Sequence, residues 1–194
     1  MKLARTASVL LLALLALATP LTASAGAVTE QLAGDVRRVL DALSDPKLKA
    51  NPDERRQALR AITREVFDLP EMAARSLGQH WQRRNERERE RFVSLMGPLV
   101  ESHLLLLESA AGTAIEYVAE SVHGERALVR TRAAGTGGRP MTLDYRLVRR
   151  GDRWQVYDVL VDDVSLIDNY RAQFQKVIRT ASYDELVRKL SAIE

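Results

Sequence analysis

The sequence predicts an α+β domain: helices first, then an antiparallel four-stranded sheet, then two helices folding back on it. Three observations carry this. Apolar residues recur at helical spacing from Val28 to Leu107. After Gly112 the pattern changes to β-rich runs separated by short glycine-containing turns. After Asp163 helical spacing returns.

The first residues stand apart from that domain. Lys2 and Arg5 form a positive start. Val9 to Ala18 is an apolar run of about ten residues, half the ~20 that a membrane span requires. Pro20 ends it, and Ala23-Ser24-Ala25 follows as a small-x-small cleavage site. Residues 1–25 therefore read as a secretory signal peptide and 26–194 as the mature domain.

In the mature chain, Val28, Gln31, Leu32, Val36, Val39, Leu40 and Leu43 fit a first helix. Asn51-Pro52-Asp53-Glu54 is a helix start, with Asn51 as N-cap and Pro52 at the first helical position. Leu59, Ile62, Val66 and Phe67 form its buried stripe. A short helix begins near Pro70 and carries Met72, Ala73, Leu77 and Trp81. Asn85 with Glu88 resembles a capping box and opens the longest helix, whose stripe is Phe92, Leu95, Met96, Leu99, His103, Leu106 and Leu107. Gly97-Pro98 predicts a kink or break within it.

The strand-like runs are Ile115–Val122, Glu125–Ala134, Arg139–Arg149 and Asp152–Asp162. Turns at His123-Gly124, Gly135–Gly138 and Arg150-Gly151 separate them, which predicts a meander of hairpins. A two-residue loop at Arg150-Gly151 would pair Leu147 with Trp154, Tyr145 with Val156 and Met141 with Leu160 on one face. Tyr157, Val159 and Val161 lie on the other, so the fourth strand reads as central and covered from both sides. Asp162 or Asp163 is expected to cap the next helix. That helix buries Leu166, Ile167, Tyr170, Phe174, Val177 and Ile178. Ser182 with Glu185 is a second capping box, for a helix burying Tyr183, Leu186, Val187 and Leu190.

Composition excludes several functions. The chain has no cysteine, so disulfides, thiolate catalysis and cysteine-based metal sites are absent. Without Lys2 and Arg5 the mature chain holds 27 basic and 26 acidic residues. A balance so close to neutral gives no electrostatic case for nucleic acid. His80, His103 and His123 have no other histidine at ligand spacing, so no metal is expected. The tract RRNERERER, Arg83 to Arg91, alternates in sign and reads as a solvated helix face, with a partner-docking face as the alternative. Catalysis has one candidate, Asp158. On the Trp154/Val156/Leu160 face it could act as a general base, but hydrogen bonding to neighbours is the simpler reading. Aromatic residues make up only 5% of the chain. An aliphatic interior with so few rings could be completed by a lipid tail, since each buried CH₂ contributes about 0.8 kcal/mol.

Two longer stretches sharpen this. FDLPEMAARSLGQHW (Phe67 to Trp81) and YRLVRRGDRWQVYDVLVDDVSLIDNYRAQF (Tyr145 to Phe174) resemble the signature blocks of the periplasmic phospholipid-binding proteins of the Mla lipid-asymmetry system. These MlaC-like proteins are also called toluene-tolerance auxiliary proteins. The resemblance spans essentially the whole mature chain. Two positions depart from it: Asp163 stands where glycine is usual before Val-Ser-Leu, and His103 where an aromatic is common.

The resemblance implies an NTF2-like cone with added helices. It implies no catalytic group, no cofactor and no metal, with a glycerophospholipid as cargo. It implies a soluble, monomeric periplasmic shuttle. That shuttle exchanges lipid with an inner-membrane ABC transporter complex carrying an MCE-domain subunit, and with an outer-membrane lipoprotein complex. The expected lipid-facing wall is Met141, Leu143, Tyr145, Val156 and Leu160 from the sheet, with Leu99 and His103 from the long helix. Arg171 would meet either a phosphate or a neighbouring Asp158 or Asp162.

Overall fold

The computed structural model describes residues 26–106, 114–134 and 140–193. The expected signal peptide at 1–25, Leu107 of the long-helix stripe and the Gly135–Gly138 turn lie outside the described residues. The elements run α1 (Ala27–Ser44), α2 (Pro46–Ala50), α3 (Pro52–Val66), α4 (Leu69–Leu77), α5 (Gln79–Gln82), α6 (Glu86–Leu106), β1 (Ile115–His123), β2 (Arg126–Ala134), β3 (Pro140–Arg150), β4 (Arg153–Val161), β5 (Val164–Ser165), α7 (Leu166–Thr180) and α8 (Tyr183–Ser191). This is the expected α+β order, with a two-residue fifth strand added.

Local chemistry sets most helix ends. Asn85 and Glu88 form the reciprocal capping box: the Glu88 N–H donates to Asn85 at 3.0 Å and the Asn85 N–H to Glu88 at 2.9 Å. Ser182 caps α8 through the Glu185 N–H at 3.0 Å. Asn51 makes no side-chain cap bond, so Pro52 and the first-turn acids mark the start of α3. Gly78, at φ +54°, turns α4 into α5, so Trp81 sits on its own short helix. Pro98 does not break α6, which continues to Leu106. Leu95, Met96, Leu99 and Val100 are all buried around it, and that packing compensates for one lost backbone donor.

The sheet is antiparallel in the order β1-β2-β3-β4-β5. The expected β3–β4 register is wrong in two ways. The turn is Gly151-Asp152, so Arg150 pairs with Arg153 and Leu147 with Val156. A bulge beside Arg146 and Leu147 then shifts the register, so that Arg146 faces Asp158, Tyr145 faces Val159 and Asp144 faces Leu160. A bulge changes which side chains share a face. Val156 and Val159 therefore stay with Leu143, Tyr145 and Leu147 on the inner face. Asp158 and Leu160 go to the outer face with Asp144 and Arg146.

β4 is also not the central strand; β3 is. β4 lies next to the edge, and three devices cover its open side. The Gln31 amide bridges the Trp154 carbonyl (2.7 Å) and N–H (3.0 Å). The Asp68 N–H donates to the Val156 carbonyl at 2.9 Å. β5 pairs with Leu160 and Val161. An uncovered edge would invite pairing with another chain.

Asp162 and Asp163 do not cap α7. Ser165 does, accepting from the Asp168 N–H at 3.0 Å. The two acids instead form the β4–β5 turn, at φ +46° and +66°, the left-handed pair that a type I′ hairpin turn requires. Asp162 is fixed there by the Thr142 N–H at 2.9 Å. This accounts for Asp163 in the glycine position, since aspartate tolerates left-handed backbone better than most residues. Asp163→Gly is expected to raise stability by about 0.5 kcal/mol and Asp163→Ala to lower it by about 1 kcal/mol. Denaturant midpoints would check both.

Four of the ten rings gather between helices. Phe92 meets Phe174 edge-on at 5.7 Å, Phe174 stacks with Tyr170 at 5.7 Å, and Tyr183 lies 6.2 Å from Phe92. The α6–α7–α8 side is thus closed by aromatic packing. Tyr117, Tyr145 and Trp154 lie on the inner sheet face.

Candidate functional site

α1 crosses the inner face of the sheet. Its first turn is held by the Glu120 carboxylate on β1, which accepts from the Thr29 N–H (2.8 Å) and hydroxyl (2.6 Å). A carboxylate there also suits the positive end of a helix. Gln31 ties α1 to β4. Asp35 accepts from Arg153 at 3.0 Å and from Arg38 at 3.3 Å. Arg38 and Arg153 also pair with Glu65 on α3, and the Arg38 hydrogen bond holds the Glu65 carboxyl below its ordinary pKa. The first half of α1 is therefore anchored to β1, β4 and α3.

Its second half stands beside a cleft of about 400 Å³ against β1, within the about 300–1,000 Å³ usual for small-molecule sites. Ala33, Val36, Leu40 and Ile115 supply half-buried apolar wall. Arg37, Asp41 and Ser44 are exposed and form the rim. Tyr117 completes the lining. Next along the inner face come Leu143 and Tyr145, joined to Tyr117 through Thr131 and Val129 on β2.

These inner-face residues share an unusual state. Met141, Leu143, Tyr145 and Val159 are only half-buried, although they lie on the covered side. Burial nevertheless pushes the Tyr145 phenol well above its ordinary pKa, and nearby Tyr117 adds to the shift. Tyr117 is shifted the same way by burial, with Arg37 opposing. Among the described residues neither phenol has a hydrogen-bond partner. Tyr117, Tyr145 and Val159 pack, half-buried, against the hydrophobic core.

The expected wall residues separate accordingly. Met141, Leu143 and Tyr145 lie together on the inner face. Val156 shares that face but is fully buried, 2% accessible, beneath the Phe67 bridge. Leu160 is on the outer face opposite Asp144. Leu99 is packed in the helical core. His103 is tied to α7: Tyr170 Oη lies 2.8 Å from Nδ1 and 3.2 Å from Nε2, and Nδ1 is 2.9 Å from the Leu99 carbonyl. A carbonyl only accepts, so Nδ1 carries a proton toward Leu99, and Tyr170 Oη lies within reach of both ring nitrogens. α6 packs mainly against α3, α4 and α8 rather than the strands.

Asp158 is saturated. It accepts from Ser165 Oγ (2.7 Å), Arg146 (3.1 Å) and the Ile167 N–H (3.1 Å), on the outer face away from the cleft. The geometry that motivated a general base is absent. Arg171 pairs with neither Asp158 nor Asp162; its guanidinium lies against Gly78, where a Cβ would come within 2.8 Å of Nε. In the charged tract, Arg84 bonds Glu88 and stacks over Tyr183 at 4.5 Å, and Arg89 bonds the Trp81 carbonyl at 3.2 Å. These two arginines brace helices. Among the described residues no group of three or more histidine, aspartate and glutamate side chains could hold a metal, and no helix is long and apolar enough to cross a membrane.

A second cleft, of about 340 Å³, lies between α3 and α6, with Arg56, Arg60 and Leu59 on one side and Pro98 and Glu101 on the other. Burial raises the Glu101 pKa against the opposing field of Arg60. A carboxyl raised on folding favours the fold while protonated, and that advantage is lost as pH rises from the ordinary glutamate range through the folded pKa. Glu101→Gln is therefore expected to increase stability at pH 7 and to flatten its decline above the glutamate range, read as thermal midpoints between pH 4 and 8.

Comparisons with known proteins bear on the family and the fold. A family model described as "MlaC protein" matches residues 35–192. The fold is similar to that of a phospholipid-binding protein from Ralstonia solanacearum whose structure is in complex with a phospholipid. The TM-score is 0.71 at 19% identity, covering 86% of this chain and 96% of that one.

Proposed function

The chain belongs to the MlaC family, and from that premise we propose that it is a periplasmic phospholipid carrier. Residues 1–25 direct export and are removed, and 26–194 act as a monomeric lipid-binding domain. Acyl chain lies between α1 and the inner sheet face, against Val36, Leu40, Ile115 and Tyr117 and then Met141, Leu143 and Tyr145. The single observation that supports this best is the half-buried, unpaired state of that inner face beside an open cleft. The structurally similar Ralstonia solanacearum protein, crystallised with a phospholipid, supports the same cargo.

A dozen buried CH₂ groups would contribute on the order of 10 kcal/mol, so unassisted release would be slow. A cleft of about 400 Å³ is at the small end even for drug-sized ligands. Loading a two-chain lipid therefore requires the second half of α1 to move off the sheet. Both requirements suit a shuttle opened by its partners: an inner-membrane ABC transporter complex with an MCE-domain subunit, and an outer-membrane lipoprotein complex. With Asp158 saturated, a binding role accounts for the site without catalysis.

The test is native mass spectrometry of the protein exported from bacteria with its own leader, followed by organic extraction. Co-purified phospholipid released on denaturation is the expected result. A preparation that stays empty, and takes up no lipid from vesicles, overturns the carrier reading.

A further inference from the structure

The rim of the α1–β1 cleft divides into two chemical halves. Arg37 and the Tyr117 hydroxyl are donors. Both line the same cleft. Asp41 and Ser44 are acceptors. Ser44 Oγ already donates to the Leu40 carbonyl at 2.6 Å, so its free lone pairs can only accept. Arg37 and Asp41 are four residues apart on one helix face, where opposite charges commonly bridge. Among the described residues they form no ion pair with each other or with any other group. By contrast, neighbouring Arg38 is engaged by Asp35 and Glu65. One cation and one anion thus stand separately at the mouth of the cleft. At 1.5 Å per residue they are about 6 Å apart along the axis.

We propose that this rim is a headgroup subsite selective for zwitterionic phospholipids, with Arg37 and Tyr117 on the phosphate and Asp41 and Ser44 on the ammonium. A phosphate and an amine joined by a two-carbon spacer match the two charges in sign and spacing. A headgroup with a phosphate but no amine engages Arg37 and leaves Asp41 as a repelling charge. Specificity then comes from the repulsive element as much as from the attractive one. The inference rests on the carrier reading, since it places the tails of the same lipid in the cleft.

The experiment incubates delipidated protein with vesicles of equal phosphatidylethanolamine and phosphatidylglycerol, then extracts and quantifies both lipids. Total lipid bound by the wild-type chain reports on the carrier reading, and the ratio reports on the subsite. Phosphatidylethanolamine is expected to be enriched about threefold, the size of effect that exposed charge pairs support. Asp41→Arg is expected to reverse the preference toward phosphatidylglycerol, and Arg37→Gln to weaken retention of both lipids. Wild-type protein that binds lipid at the vesicle ratio overturns the subsite while leaving the carrier intact, as does Asp41→Arg with an unchanged ratio. No bound lipid at all removes both readings.

Discussion

Asp158→Ala is expected to destabilise the fold by about 3 kcal/mol. Asp158 is 2% accessible and holds three donors. Removing it leaves the Ile167 N–H in the first turn of α7 and the Ser165 hydroxyl without their acceptor, at about 1–3 kcal/mol each. Arg146 contributes little to the loss, because its side chain is 41% exposed and water replaces the lost partner. Asp144→Ala is the control. It is also buried but holds only Arg130, whose side chain is 62% exposed, and is expected to cost about 1 kcal/mol. Urea midpoints at constant m-value decide the matter. Equal losses for the two variants would mean that Asp158 is an ordinary surface-pair acid and not the joint between sheet and C-terminal helices.

That joint shows what the signature blocks encode. Asp68 at the start of the first block caps α4 through the Glu71 N–H (2.9 Å) and accepts from Arg150 Nε in the second (2.6 Å). Gly78 makes room for Arg171. Asp158 and Ser165 set the start of α7. These residues carried the family resemblance, yet each holds one element to another and none lines the cleft. Fold class, strand limits and the Asn85 cap were legible in the sequence because they depend on local spacing and short-range hydrogen bonds. The β3–β4 faces were not, because a bulge is a one-residue offset that alternation cannot reveal. Asp158 and Leu160 were misplaced for that reason alone. His103 read as cavity lining because its stripe neighbours are apolar; its partner, Tyr170, is 67 positions away. The cleft wall on α1 did leave a signal. Ala33, Val36 and Leu40 lie at helical spacing on one side, while Leu32, Val39 and Leu43 bury the other. An apolar stripe that wide exceeds what one packing interface requires.

That second apolar face of α1 is where lipid binding is most open to attack. Val36→Glu is expected to reduce co-purified phospholipid at least tenfold while leaving a folded protein. Val36 is half-buried on the cleft wall, so the new carboxylate faces solvent when the cleft is empty and hydrocarbon when it is loaded. Its desolvation falls on the loaded state alone, and even a partial charge-burial penalty exceeds the ~1.4 kcal/mol that a tenfold loss represents. Leu32→Glu, one turn away on the same helix but 1% accessible, places its charge in the core in both states and is expected to unfold the chain. Val36→Trp separates occupancy from charge: the indole fills the cleft without a buried ion, and should lower lipid retention while holding or raising the thermal midpoint. If Val36→Glu and Val36→Trp both retain wild-type lipid, the chains run elsewhere and α1 is only a brace. If both lose lipid and stay folded, the half-buried face of α1 is there because a helix that closes over cargo needs apolar surface on two sides.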